Sequence, residues 1–397
     1  MKGWGVALAA AGMCSIAYGV GMQPQSLWYV LLGAEYPWSR ATLALGSTIF
    51  QVVSGVSGLC LGRLIDRHGL RLPLVLGTLA LATGSIWLAM APALWVVYGG
   101  FAWLGLGFAA LGSVTVGKLL APWFTGTART RAVTLVLLGS QVPYLLMPLT
   151  THLALTGGRI LLGGGLALLT LGVMILLWHL LCTPAPALAE VFNEPEPCTL
   201  TDALQQPTYW CWLGTVALVV LGQTGYVAHG LLIYAETTSL MQGAWLWTFS
   251  VLCGVATRLL FCVWPPAGSP SCFATRIYVV QALGFGALAL APRWPVLVWL
   301  GALGVGMTAN LTLSVEILLA QHVCGPRTLG TLYGPVYAST RLVGALSAWL
   351  YGVSFAWTGS YTTMLGCVAA GLAVASVLVR MVIPLQVGTY ARLTADP

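Results

Sequence analysis

Twelve apolar stretches of about 20 residues follow one another along the chain, with short polar segments between them. Because about 20 helical residues cross the hydrocarbon of a bilayer, each stretch predicts one transmembrane helix. The predicted spans are 4–24, 41–61, 72–91, 95–120, 132–153 and 158–182, then 209–234, 244–264, 274–291, 295–320, 330–353 and 361–384. The longest polar segment, 183–207, lies between the sixth and seventh spans. We therefore predict an all-α membrane protein with two six-helix bundles, 1–182 and 208–397, joined by a linker at 183–207.

Composition supports this class. The 397 residues are 58% hydrophobic and only 6% charged, whereas a soluble domain carries about 25% charged residues. Mean hydropathy is +0.90, and 48 glycines suit close helix packing in lipid. An outer-membrane β-barrel would show short alternating segments instead of long apolar runs. The ten cysteines are spread singly, so we interpret them as small packing residues, not as disulfides or metal ligands.

The positions of the basic residues predict the orientation. Nine Lys and Arg residues lie at the termini and in the even-numbered loops, and three lie in the odd-numbered loops. By the positive-inside rule both termini and the linker are cytoplasmic, in a multi-pass protein of the cytoplasmic (inner) membrane. Scattered single charges form no patch for nucleic acid. Two six-span halves with both ends inside is the plan of major facilitator transporters, in which the halves rock around one midplane site.

A short motif follows the second predicted span. Residues 62–71 read G-R-L-I-D-R-H-G-L-R and resemble the major facilitator signature loop, G-x-L-x-D-R-x-G-R-R. The resemblance implies a gating motif made of Gly62, Asp66, Arg67, Gly69 and Arg71. The corresponding second-half stretch has Pro266 and Ala267 where the Asp-Arg pair would be. We therefore expect Asp66 to hold one conformer as a latch in the first half alone.

Weaker matches occur in a fixed order along most of the chain. They resemble the monocarboxylate porter branch, and especially its oxalate:formate exchanger-like members. The matches are Trp38-Ser39-Arg40, residues 199–204, His229, Thr257-Arg258-Leu259-Leu260, residues 330–334 and Thr358-Gly359-Ser360-Tyr361. The branch implies a carrier of small carboxylates. Two positions depart from animal members: Gly254 replaces an acidic residue one turn before the span-8 arginine, and the first span has Gln23 and Gln25 where those members have a lysine.

Charged residues inside spans are expensive and mark functional sites. Arg258 lies in the eighth predicted span and Arg341 in the eleventh. The exchanger resemblance implies that these two helices hold a dianion, because an Arg and a Lys occupy them there. An arginine fork binds a carboxylate through two parallel hydrogen bonds. The alternative is structural: either arginine could be tied to Glu316 or to helix-end carbonyls.

Neutral polar residues complete the candidate site. The predicted substrate-binding set is Arg258, Arg341, His229, Tyr144, Gln141, Tyr337 and Asn310. His229 could carry a coupling proton, since imidazole titrates near neutral pH. A hydrogen-bonded His in a cavity or gate is the alternative.

The favoured function is secondary transport of a small mono- or dicarboxylate by alternating access, as a symporter or an antiporter. The partners are then the organic anion, a proton or a counter-anion, and the lipid bilayer, with a monomeric carrier. One alternative is a carrier of a soft metal such as copper, although no Met or His pair has the helical spacing that copper carriers use. Another is an exporter of small hydrophobic compounds. No nucleophile–base pair, phosphate loop or metal cluster indicates an enzyme, a cofactor or a bound metal.

Overall fold

A computed structural model describes residues 2–120, 122–124, 126–183, 200–263 and 269–382. Within these residues the regular structure is helical, without β-strands. The first helices are α1 (Lys2–Gly21), α2 (Gln25–Glu35), α3 (Arg40–His68), α4 (Arg71–Ala89), α5 (Leu94–Leu111), α6 (Ser113–Leu120), α7 (Gly126–Gly139), α8 (Val142–Leu145) and α9 (Met147–Leu181). They are followed by α10 (Leu200–Leu204), α11 (Pro207–Ala235), α12 (Leu240–Val263), α13 (Pro270–Leu290), α14 (Leu297–Ala309), α15 (Thr312–Thr358), α16 (Thr362–Leu378) and a 3₁₀ turn, Val379–Met381.

Nine helical stretches of the described residues are long and apolar enough to cross a membrane. The number is ten if the bent pair Leu297–Ala309 and Ser314–Ala320 forms one span. One of the nine, Arg131–Leu181, contains both the fifth and the sixth predicted spans. The predicted all-α membrane fold is confirmed.

Several helix ends differ from the predicted ones. The first predicted span ends at residue 24, and the structure has a break there before α2 continues to Glu35. Pro24 explains the break, because proline lacks the N–H that a continuous helix needs. The prediction of a loop at 321–329 was wrong, because these residues are helical and belong to α15. Polarity ends an apolar span without necessarily ending the helix, since polar residues can keep their backbone hydrogen bonds.

Residue contacts divide the chain into two compact units. Unit 1 comprises Met1–Ala189, Thr224–Val251 and Ala345–Tyr361, and unit 2 comprises Glu190–Gln223, Leu252–Gly344 and Thr362–Pro397. In unit 1, α5 packs against α3 and α4, and α4 packs against α9. In unit 2, α13 packs against α14 and α16. The boundaries 1–182, 183–207 and 208–397 stay a prediction, and 184–199 of the linker lie outside the described residues.

A single non-helical residue interrupts the long helix α9. Gly158 has φ +62° and ψ −159°, which no helical residue adopts. Only glycine takes this conformation without a Cβ clash. Gly158 therefore separates the fifth predicted span from the sixth.

Glycines on α5 let neighbouring helices approach closely. A Cβ added at Gly105 would lie 2.6 Å from the carbonyl oxygen of Phe50 and 3.3 Å from its Cα, both in the backbone of α3. A backbone cannot move aside as the end of a flexible side chain can. The α3–α5 crossing therefore depends on a missing side chain.

We expect Gly105→Ala to destabilise the protein by about 1–3 kcal/mol, the usual cost of overpacking a helix contact. Gly172→Ala is the matched control, because nothing lies within 4 Å of a Cβ added on that face of α9. The control should leave stability unchanged or raise it by up to about 1 kcal/mol through helix propensity. Thermal unfolding in detergent measures both, and equal unfolding temperatures would contradict the packing argument.

Candidate functional site

Two arginines lie inside unit 2 on apolar helices. Arg258 of α12 is only 4% exposed, and Arg341 of α15 is half-buried. Glu316, also on α15, is buried, and all three residues make polar or electrostatic contacts. A guanidinium in an apolar span needs such partners, because burying an uncompensated charge is costly. Arg258 is the more strictly buried of the two candidates.

The position where animal carriers have an acidic residue is packed tight. A Cβ added at Gly254 would lie 2.6 Å from the carbonyl oxygen of Gly306 and would collide with the amide of Asn310. Helix α12 therefore approaches α14 through this glycine. A carboxylate side chain has no room at position 254, one turn before Arg258.

A helix break in unit 2 brings polar groups together. Helices α14 and α15 are bent by 41° at residues 310–313, where Asn310 is half-buried. The side-chain amide of Gln223 on α11 donates to the carbonyl oxygen of Ala309 at 3.4 Å and to the hydroxyl of Thr312. A carbonyl freed by a break in a span needs a partner of this kind. Broken helices are also where transporters place substrate sites.

A second break lies in unit 1, at the candidates Gln141 and Tyr144. Helix α7 ends at Gly139, and the short α8 begins after Gln141, whose amide donates to the Ser140 hydroxyl at 3.1 Å. Tyr144 is buried, with its ring 6.0 Å from that of Trp247. Gln141 and Tyr144 are thus adjacent to each other in unit 1, whereas Arg258, Arg341 and Asn310 belong to unit 2.

His229 is fully buried in unit 1, and both ring nitrogens have partners. Its Nε2 lies 2.9 Å from the carbonyl oxygen of Ala348 and its Nδ1 lies 3.0 Å from the hydroxyl of Tyr361. Because a carbonyl can only accept, Nε2 is the donor. In a neutral ring Nδ1 then accepts from Tyr361. This arrangement uses the hydrogen-bonding capacity of the imidazole completely.

The hydrogen bonds continue from Tyr361 to Arg40, at the start of α3. Arg40 Nη1 donates to the Tyr361 hydroxyl at 3.2 Å, and the guanidinium carbon lies 3.8 Å from the centre of the Phe355 ring. Stacking on an aromatic face is favourable for arginine. Arg40, Tyr361, His229 and Ala348 therefore form one chain of hydrogen bonds.

An exposed carboxylate holds the turn that positions Tyr361. The hydroxyl of Ser360 and the backbone N–H of Tyr361 both donate to the carboxylate of Glu236, the latter at 3.1 Å. On sequence grounds Arg40 belonged only to a weak motif match, and Glu236 belonged to no candidate site. The signal was present in two motif matches, Trp38-Ser39-Arg40 and Thr358-Gly359-Ser360-Tyr361, because these segments meet here.

The gating motif occupies the end of α3 and the start of α4. Gly69 ends α3 with φ +73°, and its N–H donates to the carbonyl oxygen of Ile65 at 2.8 Å. Arg67 and Arg71 are exposed. The side-chain environments of Gly62, Asp66 and Tyr337 lie outside the described residues. Among the described side chains, His, Cys, Asp and Glu form no group of three that could hold a metal ion.

Comparison with known proteins gives one family and one fold. The family model of the Major Facilitator Superfamily matches residues 9–348. Two solved structures of a bacterial homologue of the human lysosomal transporter Spinster are similar to the chain. The inward-facing, occupied form is 13% identical with a TM-score of 0.65, covering 95% of this chain and 94% of that one. The inward-facing, unoccupied form is 12% identical with a TM-score of 0.66, covering 96% and 95%.

No curated protein matches the chain significantly. At 12–13% identity the solved structures are evidence for the fold alone. The carboxylate branch stays a prediction. The family match covers most of the chain, and the helices and the fold agree with it. The chain therefore belongs to the Major Facilitator Superfamily, as a multi-pass membrane transporter and not an enzyme.

Proposed function

We propose that this protein is a secondary transporter of a small organic anion, a mono- or dicarboxylate, by alternating access. The observation that carries the proposal is the burial of Arg258, 4% exposed, inside an apolar helix. A charge at this depth costs several kcal/mol and is retained where it has a function. A carboxylate that binds it gains charge-assisted hydrogen bonds of roughly 1.5–3 kcal/mol each.

Arg341 is the second member of the proposed clamp. Arginine presents parallel N–H groups that match the two oxygens of a carboxylate. Two such forks favour a dicarboxylate, or a monocarboxylate with a second polar group. Asn310, Tyr337, Gln141 and Tyr144 are proposed as neutral donors, with helix breaks beside Asn310 and Gln141 in their support.

Contacts within unit 1 support a gate. They join residues of the predicted first half to residues of the predicted second half. The Ser26 hydroxyl donates to the carbonyl oxygen of Ala228 at 2.7 Å. The Thr48 hydroxyl donates to the carbonyl oxygen of Ala345 at 2.7 Å. The chain from Arg40 through Tyr361 to His229 makes a third connection. We call these three connections the outer contact layer. Alternating access requires that the layer open and close, and in the predicted topology it lies on the outer side.

The hydrogen bonds of His229 favour a structural role for this residue over a role as the carrier of a coupling proton. Its two nitrogens are engaged in the outer contact layer, and position 254 has no room for the acidic residue of animal carriers. Exchange or uniport then explains transport without a dedicated proton carrier. We further propose a monomer in the cytoplasmic membrane, with both termini cytoplasmic.

The first prediction of this proposal concerns the clamp of Arg258 and Arg341. Arg258→Ala and Arg341→Ala should each weaken carboxylate binding by about 10-fold to 100-fold, at roughly 1.4 kcal/mol per decade. Arg341→Lys should retain more affinity than Arg258→Lys, because the exchanger-like relatives have a lysine in that helix. The measurement is binding and proteoliposome uptake of labelled oxalate, succinate and lactate by folded, purified protein.

Arg293→Ala is the control for these variants, since Arg293 is an exposed arginine in the turn after α13. It should bind and transport like the wild type. Wild-type affinity in both Arg258→Ala and Arg341→Ala would exclude the clamp. Absence of uptake for the whole panel, with the wild-type protein folded and correctly reconstituted, would count against the carboxylate assignment.

The second prediction separates two roles of His229. Gln offers one amide donor for the Ala348 carbonyl and one oxygen that accepts from Tyr361, but it cannot carry a proton. We expect His229→Gln to retain most transport and His229→Leu to lose about 10-fold or more in rate, since one lost buried hydrogen bond already costs about 1–3 kcal/mol. If the Gln variant loses proton-driven accumulation but keeps exchange, His229 is the proton carrier instead.

The third prediction concerns the signature loop. Asp66→Asn should slow transport with little change in binding affinity, because the proposed latch acts on the conformational equilibrium and not on the substrate. Asp66→Glu keeps the charge and should be milder. Turnover and affinity are measured in the same proteoliposomes. Unchanged turnover in Asp66→Asn would remove the latch.

A further inference from the structure

A cavity of about 600 Å³ lies entirely within unit 2, beside the start of α13 and the 3₁₀ turn that follows α16. It is bounded by the first two turns of α13, by α15 and by the 3₁₀ turn that follows α16. Its lining includes Ser271, Thr275, Arg276, His322, Arg380 and Val382. None of these residues belongs to the proposed substrate set. The cavity is therefore a feature that the transport proposal does not use.

Hydrogen bonds of Ser271 and Thr275 form one wall of the cavity, which we call the frame. Ser271 Oγ donates to the carbonyl oxygen of Val382 at 3.1 Å, and Thr275 Oγ1 donates to those of Ser271 at 2.9 Å and Ser376 at 3.4 Å. Ser271, Thr275 and Val382 are all buried. These bonds tie the start of α13 to the end of α16. The frame holds the two arginine-bearing elements at one cavity.

The charge of the cavity has one sign. Arg276 and Arg380 are exposed, His322 is half-buried, and the described residues of the lining include no carboxylate. Within the part of the chain that the structure describes, neither arginine forms an ion pair with an acidic side chain. Between Glu236 and Asp396, Glu316 is the one acidic residue of the sequence, and it does not line the cavity. Among the described residues, the two guanidinium groups therefore give this lining a net positive charge.

The α13 N-terminus adds to this potential. The helix begins at Pro270, is 21 residues long, and has partial positive charge at its start. Arginine forks bind phosphate through paired hydrogen bonds, and lipid headgroups are recognised by basic pockets between transmembrane helices. The cavity also lies at the ends of two candidate spans. It is beside the start of the span Pro270–Leu290 and the end of the span Thr362–Met381. This is the depth of the headgroups if the spans cross as predicted.

We propose that this cavity binds a phosphate group, with Arg276 and Arg380 as the ligands and the frame of Ser271 and Thr275 as one wall. The phosphate can come from an anionic phospholipid or from a phosphate in solution. Occupancy would neutralise the two arginines and cross-link α13 to the end of α16.

The chain offers its own local probe for the test. Cys272 is a free, exposed thiol that also lines the cavity, one helical turn before Arg276. Cys60 is a second free, exposed thiol, on α3, and serves as the internal control. The rate of maleimide labelling at each cysteine is measured by peptide mass spectrometry on the purified, full-length protein. A bound phosphate group should shield Cys272 and leave Cys60 unaffected.

Three conditions distinguish the sources of phosphate. The first is a nanodisc of phosphatidylcholine, the second is the same nanodisc with phosphatidylglycerol added, and the third is the phosphatidylcholine nanodisc with inorganic phosphate against chloride of equal ionic strength. We expect roughly 10-fold slower labelling of Cys272 when the ligand is present at about ten times its Kd. Slowing by phosphatidylglycerol alone identifies a lipid headgroup, and slowing by inorganic phosphate identifies a soluble phosphate.

Arg276→Gln combined with Arg380→Gln should abolish the protection while the unfolding temperature in phosphatidylcholine stays unchanged. The control is Arg293→Gln, which removes an exposed arginine that does not line the cavity. It should retain the protection.

Three results would overturn the site: no slowing in either condition, equal slowing at Cys60, or full protection in the double variant. If the double variant does not fold, the single variants Arg276→Lys and Arg380→Lys should each keep partial protection, and full loss of slowing in both would contradict a phosphate bound by charge.

Discussion

The interior of a bilayer offers no water to peptide N–H and C=O groups, so each one must find its partner within the protein. This constraint explains why the described chain is helical almost throughout and why its interruptions are informative. At the bend between α14 and α15 the amide of Gln223 donates to the carbonyl oxygen of Ala309. At the break between α7 and α8 the polar residues Ser140 and Gln141 contact each other. Each break lies beside a residue of the proposed substrate set, Asn310 in one case and Gln141 in the other.

The outer contact layer shows how weak local signals combine in three dimensions. Arg40, His229 and Tyr361 belong to three segments that are separated by more than a hundred residues. They are joined by consecutive hydrogen bonds of 3.2 and 3.0 Å. Glu236 holds the turn before α16 by accepting from Ser360 and Tyr361. The Arg40–Tyr361 hydrogen bond therefore links the two predicted halves, and Tyr361 in turn contacts the buried imidazole of His229.

Arginine serves different purposes at different depths of this protein. Arg258 is buried in an apolar helix, where an ionic partner strongly affects its energy. Arg276 and Arg380 are exposed at span ends beside a cavity, where water competes with any ligand. Arg40 lies between these extremes, stacked on Phe355 and bonded to Tyr361. The same type of side chain is thus proposed as a carboxylate clamp at one depth and as a phosphate ligand at another, and it forms a contact between helices at Arg40.

The sequence by itself determined the fold class and the positions of most spans, because long apolar runs without charge can only be satisfied as helices in lipid. It also placed Arg258 within an apolar span, and the structure buries this residue. The resemblance of segment 62–71 to the major facilitator signature motif stays a prediction, and residues 62–68 belong to α3. Tertiary structure decided what no local pattern carries. The close approach at Gly254 and the partners of His229 depend on residues far away in the chain. The cavity at Arg276 and Arg380 is a further case, since packing α13 against α16 brings residues 271 and 382 together across 111 positions of sequence.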